Sequence, residues 1–158
     1  MADFQRRAAA LLGGDDPIEV LRATPVRLAE LVAAMPRDVL DAPYAPGKWR
    51  RRDVVAHLAD VEVAFAWRLR QTVAAPGTEL APFDQDVWAE RYLRLDPTLA
   101  LEAFRALRSW NLAWLTSLTL QDWLAEGVHL GRGPESVDQM VRYLAGHDLD
   151  HLGQLGAD

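Results

Sequence analysis

Nine prolines, at positions 17, 25, 36, 43, 46, 76, 82, 97 and 134, set the grammar of this chain. Each lacks a backbone N–H and clashes with the preceding helical turn, so helices are confined to the windows between them. The long windows, 47–75, 98–133 and 135–158, are rich in Ala, Leu, Arg and Glu and poor in alternating β-branched residues, which predicts helices. A first helix is expected over about Pro17 to Met35, with Asp16 as N-cap, Pro17 in the first turn and Leu21, Leu28, Leu31, Val32 and Met35 as its stripe. Pro25 should kink it. A second is expected over about Arg51 to Ala75, with Val54, Leu58, Val61, Phe65 and Leu69 on one face. A third opens at Asp96-Pro97 and carries Phe104, Leu107, Asn111, Trp114, Leu115 and Leu118, with Asn111 the odd polar member. A loop over Gly127 to Pro134 then leads into a fourth helix, about Glu135 to Leu155.

Four amphipathic helices in 158 residues most simply form an all-α four-helix bundle in a single domain, 1–158. Residues 1–15 are expected to be a loosely held N-terminal segment, with a short helix over residues 2–12. The stretch from Ala75 to Pro97 is long enough to cross the bundle, which allows helices 2 and 3 to run parallel. With no cysteine in the chain, disulfide frameworks, thiolate-bound metals and an internal thiol nucleophile are excluded. The net charge of -6 argues against nucleic acid as a partner, and no apolar run approaches the ~20 residues of a membrane span. A cytoplasmic location is expected, because the N-terminus lacks an apolar secretory core.

Chemistry concentrates on histidine. His147 and His151 are four apart, so on a helix they share one face, and at 100° per residue both turn inward beside Leu144. His57 falls beside the Val54 and Val61 stripe, also inward. A single inward His is ordinarily a satisfied core residue. Three buried neutral imidazoles without partners each cost on the order of 1–3 kcal/mol, whereas one shared cation satisfies all three. The same angles place Gln154, Asp60 and Asp148 near these rings, where they serve either as acceptors that orient an imidazole or as partners of an Arg. Arg68, eleven residues beyond His57 on the same face, either holds an anionic substrate or extends its head to solvent. His129 is expected to be solvated, as is the basic cluster Lys48 to Arg52. Trp88 and Phe83 sit in the crossover, where they can wall a pocket.

Four segments together, Lys48-Trp49, His57-Leu58-Ala59-Asp60-Val61-Glu62, Pro82-Phe83-Asp84-Gln85-Asp86-Val87-Trp88 and His147-Asp148-Leu149-Asp150-His151-Leu152-Gly153-Gln154, resemble the DinB-like superfamily. More narrowly, they are similar to the branch related to bacillithiol S-transferases and DinB/YfiT proteins. The resemblance runs from about residue 16 to the end. It implies a left-handed four-helix bundle with a long crossover, a homodimer, and a divalent metal held by His57, His147 and His151. Three imidazoles accept Zn, Ni, Fe or Mn and leave positions open for substrate. The family further implies a low-molecular-weight thiol as cosubstrate, adding to an electrophile held against Trp88, Phe83 or Trp67. Two other readings stand beside it. His147-Asp148-Leu149-Asp150-His151 has the spacing of a zinc-hydrolase H-E-x-x-H helix, with Asp148 where the general base sits, and a non-catalytic stress-response binding module is the third.

Overall fold

A computed structural model describes residues 2–157, with side chains from Gln5 onward. Four long helices form the bundle: α2 (Pro17–Ala34), α4 (Arg51–Ala74), α6 (Pro97–Leu115) and α8 (Val137–Gln154). Their starts are written in the sequence. The Asp16 carboxylate accepts from the backbone N–H of Ile18 and Glu19, and the Asp96 carboxylate from that of Thr98, each directly before a proline in the first turn. The α8 start is a capping box between Ser136 and Gln139. Shorter pieces join them: α1 (Ala2–Leu12), α3 (Arg37–Leu40), α5 (Gln85–Ala89), a 3-10 turn (Tyr92–Arg94) and α7 (Leu120–Leu124). Helix α2 continues through Pro25.

Side-chain contacts fix the helix directions. Arg52 donates to the Leu95 carbonyl, Glu62 meets Arg108, and Arg70 meets Asn111, so positions along α4 and α6 advance together. These two helices therefore run parallel, as the 22-residue connection allows. Helix α8 opposes α4, since its first half packs with Val61, Phe65 and Leu69 and its end, Leu152 and Leu155, with Val54 and Leu58. Two apolar cores result, one at each end of the bundle. Between them lies a buried polar layer of His57, Glu62, Arg108, Asn111, His147, Asp148 and His151.

Three sequence expectations change. The stretch Gly127 to Pro134 is no simple loop: β2 (Glu126–His129) pairs antiparallel with β3 (Gly133–Ser136) and parallel with β1 (Glu79–Leu80). This small sheet ties the crossover to the α6–α8 connection; pairing across 50 residues leaves no local periodic signal. The segment expected to be loosely held contains α1, whose Ala8 and Leu12 are buried. It lies so close to α8 that a methyl group added at Gly146 would collide with the Ala8 backbone. On α6 the inward position belongs to Arg108, 1% exposed, while Leu107 is only partly covered. Among the described residues no helix is long and apolar enough to cross a membrane.

Candidate metal centre

The polar layer opens onto a cavity of about 960 Å3 lined from α4, α8, the crossover and the sheet. At its floor, α4 contributes His57 and α8 contributes His147 and His151, all three nearly fully buried. Their ring nitrogens converge. The Nε2 atoms of His57 and His147 are 3.2 Å apart, and those of His151 and His147 are 3.1 Å apart. One ligating nitrogen from each ring fits within 4.8 Å of the others, a grouping able to hold a metal ion.

The surroundings settle one tautomer. Gln154 Nε2 donates to Asp150 Oδ2 at 2.8 Å, so the amide oxygen faces His151, where it lies 2.9 Å from Nδ1. That oxygen only accepts, so His151 carries its proton on Nδ1 and turns an Nε2 lone pair toward the other rings. His147 Nε2 can donate to one of its two neighbours, not both at once. Three ring nitrogens converging at 3.1–3.2 Å suit one shared cation, and this donor set fits a divalent metal. His57 Nδ1 has no hydrogen-bond partner among the described residues, and the edge of Trp49 packs on its ring at 4.9 Å. Burial, reinforced by the other imidazoles, holds the His57 pKa well below the usual histidine value. Burial, then His147, pushes His151 down to about 3. At neutral pH both rings are neutral, as ligands must be.

The other residues singled out in the sequence divide. Gln154 orients His151 as described. Asp148 turns away from the cavity and is fully buried; its Oδ2 accepts from Arg108 Nη1 at 2.6 Å, while its Oδ1 lies 4.0 Å from His147 Nδ1. The Arg partner is therefore present, and His147 also acts on this carboxylate, helping to lower its pKa. Glu62 completes the group, accepting from Arg108 Nε at 2.9 Å and Nη2 at 2.6 Å, and from Asn111 at 2.9 Å. Burial opposes charge on Asp148 and Arg108, but their proximity outweighs it, lowering the first pKa and raising the second. Asp60 stands apart from the imidazoles; Tyr92 donates to it at 2.6 Å, and burial together with that bond raises the Tyr92 pKa. Arg68 lines the cavity, as does Phe83. Trp88 does not; it stacks behind Phe83 at 4.6 Å, and Trp67 lies half-exposed elsewhere.

Two expectations are overturned. His129 is 2% exposed, not solvated, because β2 carries it inward to the cavity wall. The Lys48 to Arg52 cluster is not a uniform surface: Lys48 and Trp49 line the cavity, while Arg50 pairs with Asp53 and Arg52 with Asp41. Sequence reasoning also missed Arg108. The signal was available, since Asn111 had been placed on the inward stripe and Arg108 lies one turn before it.

Comparison with known proteins agrees with this architecture. A family model for the DinB superfamily matches residues 21–155. A relative from Bacillus subtilis (strain 168), named "Putative metal-dependent hydrolase YfiT", is 32% identical over 111 residues, covering 69% of this chain and 62% of its own length. A relative of like designation from Oceanobacillus iheyensis is 27% identical across 87% of this chain and 81% of its own. The chain thus spans less than two thirds of the first relative. Among solved structures, YfiT of Bacillus subtilis superposes with a TM-score of 0.85 at 26% identity, covering 89% of this chain and 82% of that one; it is described as having an unusual four-helix bundle topology. A mycothiol-dependent maleylpyruvate isomerase shares the fold at a TM-score of 0.72 and 12% identity, over 89% of this chain and 60% of that one. With a matched segment running from the first turns of α2 to the end of α8, this chain belongs to the DinB superfamily.

Proposed function

We propose that this protein is a divalent-metal-dependent transferase that joins a low-molecular-weight thiol to a carbon electrophile, with His57, His147 and His151 as the metal ligands. The observation that carries this reading is the convergence of three imidazoles at the floor of an open cavity whose nearby carboxylates are already engaged. A divalent ion held there supplies a Lewis acid that keeps a bound thiol ionised at neutral pH. The chain's own residues do the remaining work. Gln154, anchored on Asp150, holds His151 in the tautomer that presents Nε2. Trp49 covers the His57 ring and keeps bulk water from that side. In the reaction the thiol proton passes to solvent, the sulfur pair forms the new C–S bond, and the leaving group departs with the electrons of its old bond. The nucleophile comes from outside, consistent with a chain free of cysteine.

Hydrolysis is the second reading, favoured by the designation of the relatives as metal-dependent hydrolases. Beyond the ionisation a metal supplies, hydrolysis gains from a carboxylate base that takes the proton of water, whereas a more acidic thiol does without one. Asp148, at the general-base position of the zinc-hydrolase spacing, is closed off by Arg108, and Asp150 is bound by Arg7 and Gln154. Neither carboxylate is available for that task, which ranks thiol transfer first.

The test compares wild type with His57→Ala and His151→Ala. Elemental analysis of chelator-free protein is expected to find near-stoichiometric divalent metal in wild type and little in either variant. Loaded wild type should consume a thiol against 1-chloro-2,4-dinitrobenzene, and His151→Ala should not. Thiol-independent cleavage of an ester panel would replace this reading with the hydrolase one. Metal-loaded protein inert to every thiol and ester would leave a binding module.

A further inference from the structure

The cavity has a second end, and its charge is unbalanced. Arg68 stands eleven residues beyond His57 on α4, about 16 Å along the axis at 1.5 Å per residue. It is 4% exposed, and its one hydrogen bond to a described residue runs from Nη2 to the Ala81 carbonyl at 2.7 Å. The guanidinium lies between the rings of Phe65 and Phe83, 5.6 and 5.3 Å from their centroids. No carboxylate among the described residues binds it. The neighbouring Arg132 is already clasped by Glu135 through two hydrogen bonds. His129 Nδ1 accepts from the Gly131 N–H at 3.0 Å, so that ring is neutral at Nδ1 and keeps its proton on Nε2. Summed over Arg68, Arg132, Glu135 and His129, this end of the cavity carries one positive charge.

A buried guanidinium with a neutral carbonyl as its partner is costly unless an anion completes it. We infer that Arg68, with His129 lining the same cavity, forms a binding site for a carboxylate carried by one of the two substrates, at the opposite end of the cavity from the three imidazoles. A planar guanidinium matches a carboxylate two bonds at a time. A single negative charge neutralises this end, whereas a phosphate monoester would bring nearly two, and Asp84 and Asp86 at the exposed rim disfavour a dianion. Separation from the imidazoles selects an elongated molecule whose reactive atom lies some 10–16 Å from its carboxylate. The inference rests on the transferase reading only for what happens at the far end; the carboxylate site itself is measurable without metal.

Binding of S-methylglutathione and of its diethyl ester, neither of which has a free thiol, is measured by calorimetry. Wild type, Arg68→Gln, Arg68→Lys and His57→Ala are compared. The acid is expected to bind at least tenfold tighter than the ester to wild type and to His57→Ala. That ratio should vanish in Arg68→Gln and persist in part in Arg68→Lys. A kinetic arm pairs 10-bromodecanoate, whose chain is long enough to span the two ends of the cavity, with its ethyl ester, so the KM that responds to Arg68→Gln tells whether thiol or electrophile carries the carboxylate. Absence of a carboxylate preference from both arms in wild type, which requires no variant to fold, overturns the proposal, as does a preference that survives Arg68→Gln. Wild type that shows the ratio but takes up no divalent metal and turns over no thiol sinks the transferase reading and leaves the site standing.

Discussion

Two buried polar groups share the middle of this bundle, and they are built on opposite principles. Around Arg108, two carboxylates and an amide meet one guanidinium: every charge has a counter-charge at 2.6–2.9 Å, sealed between the apolar cores. Around His147, three imidazoles turn ring nitrogens toward one another, with Asp148 Oδ1 4.0 Å from His147 Nδ1, and they open onto a cavity. The first arrangement is nearly complete, with only Asp148 Oδ1 short of a hydrogen bond among the described residues, and it holds α2, α4, α6 and α8 together, since Arg108 also donates to the Leu21 carbonyl at 2.9 Å. The second is incomplete, and an incomplete buried polar cluster beside a cavity is where a ligand belongs. Polarity alone does not mark a functional site; unsatisfied polarity does.

The strongest way to break this contrast is Arg108→Met, which strands Glu62 and Asp148 without a cation. Removing one member of a buried ionic group costs about 3–5 kcal/mol, so urea denaturation should show a loss of that size. A stable variant would mean that the network is dispensable.

Acid should act next, and on the two groups in different ranges. In metal-free protein His57 and His151 have folded pKa values below the unfolded value of about 6.5, so the unfolded state binds more protons below that pH. Their neutral-pH stability is lost as pH falls from about 6.5 toward the His151 value of about 3, with a slope approaching ~1.4 kcal/mol per pH unit for each ring. Asp148 has a lowered pKa, so its contribution is present above its unfolded value near 3.9 and disappears only as pH falls further. Denaturation midpoints of metal-free wild type between pH 7 and 4 should therefore fall, and His57→Ala with His151→Ala should flatten that decline. An unchanged decline in the double variant would assign acid sensitivity elsewhere.

Gln154→Leu sharpens the comparison at the orienting shell. Metal affinity is expected to drop about 10- to 100-fold by competition titration, because the His151 tautomer is no longer held. The smallest effect belongs to His57→Ala in metal-free protein, within about 1 kcal/mol of wild type by the same denaturation assay, since the ring borders the cavity and its loss leaves no buried partner stranded. A loss near that of Arg108→Met would make the imidazole cluster a structural element after all.

How far the sequence reaches is visible in particular residues. Helix α2 begins at Pro17 and α6 at Pro97, each capped by the preceding Asp, because capping and proline geometry act within four residues. His147 and His151 share a face for the same reason, as an i, i+4 relation lies inside one helix. Angular placement also turned His57 inward. The same method misplaced Asp60, which meets Tyr92 from the crossover, and His129, which enters the cavity only because β2 pairs with β1 and β3. It passed over Arg108, since a charged side chain is assigned to solvent unless its partners are known, and these lie 40 and 46 residues away.

The sequence by itself thus determined the helices, their caps and the inward turn of three histidines, all consequences of short-range backbone geometry and periodicity. Only the tertiary structure decided that α4 and α8 bring their rings together, that Asp148 belongs to Arg108 rather than to the cavity, and that Arg68 is buried without a carboxylate. Those outcomes depend on which faces meet across the bundle, and burial of charge is a property of the whole packed layer that no single segment encodes.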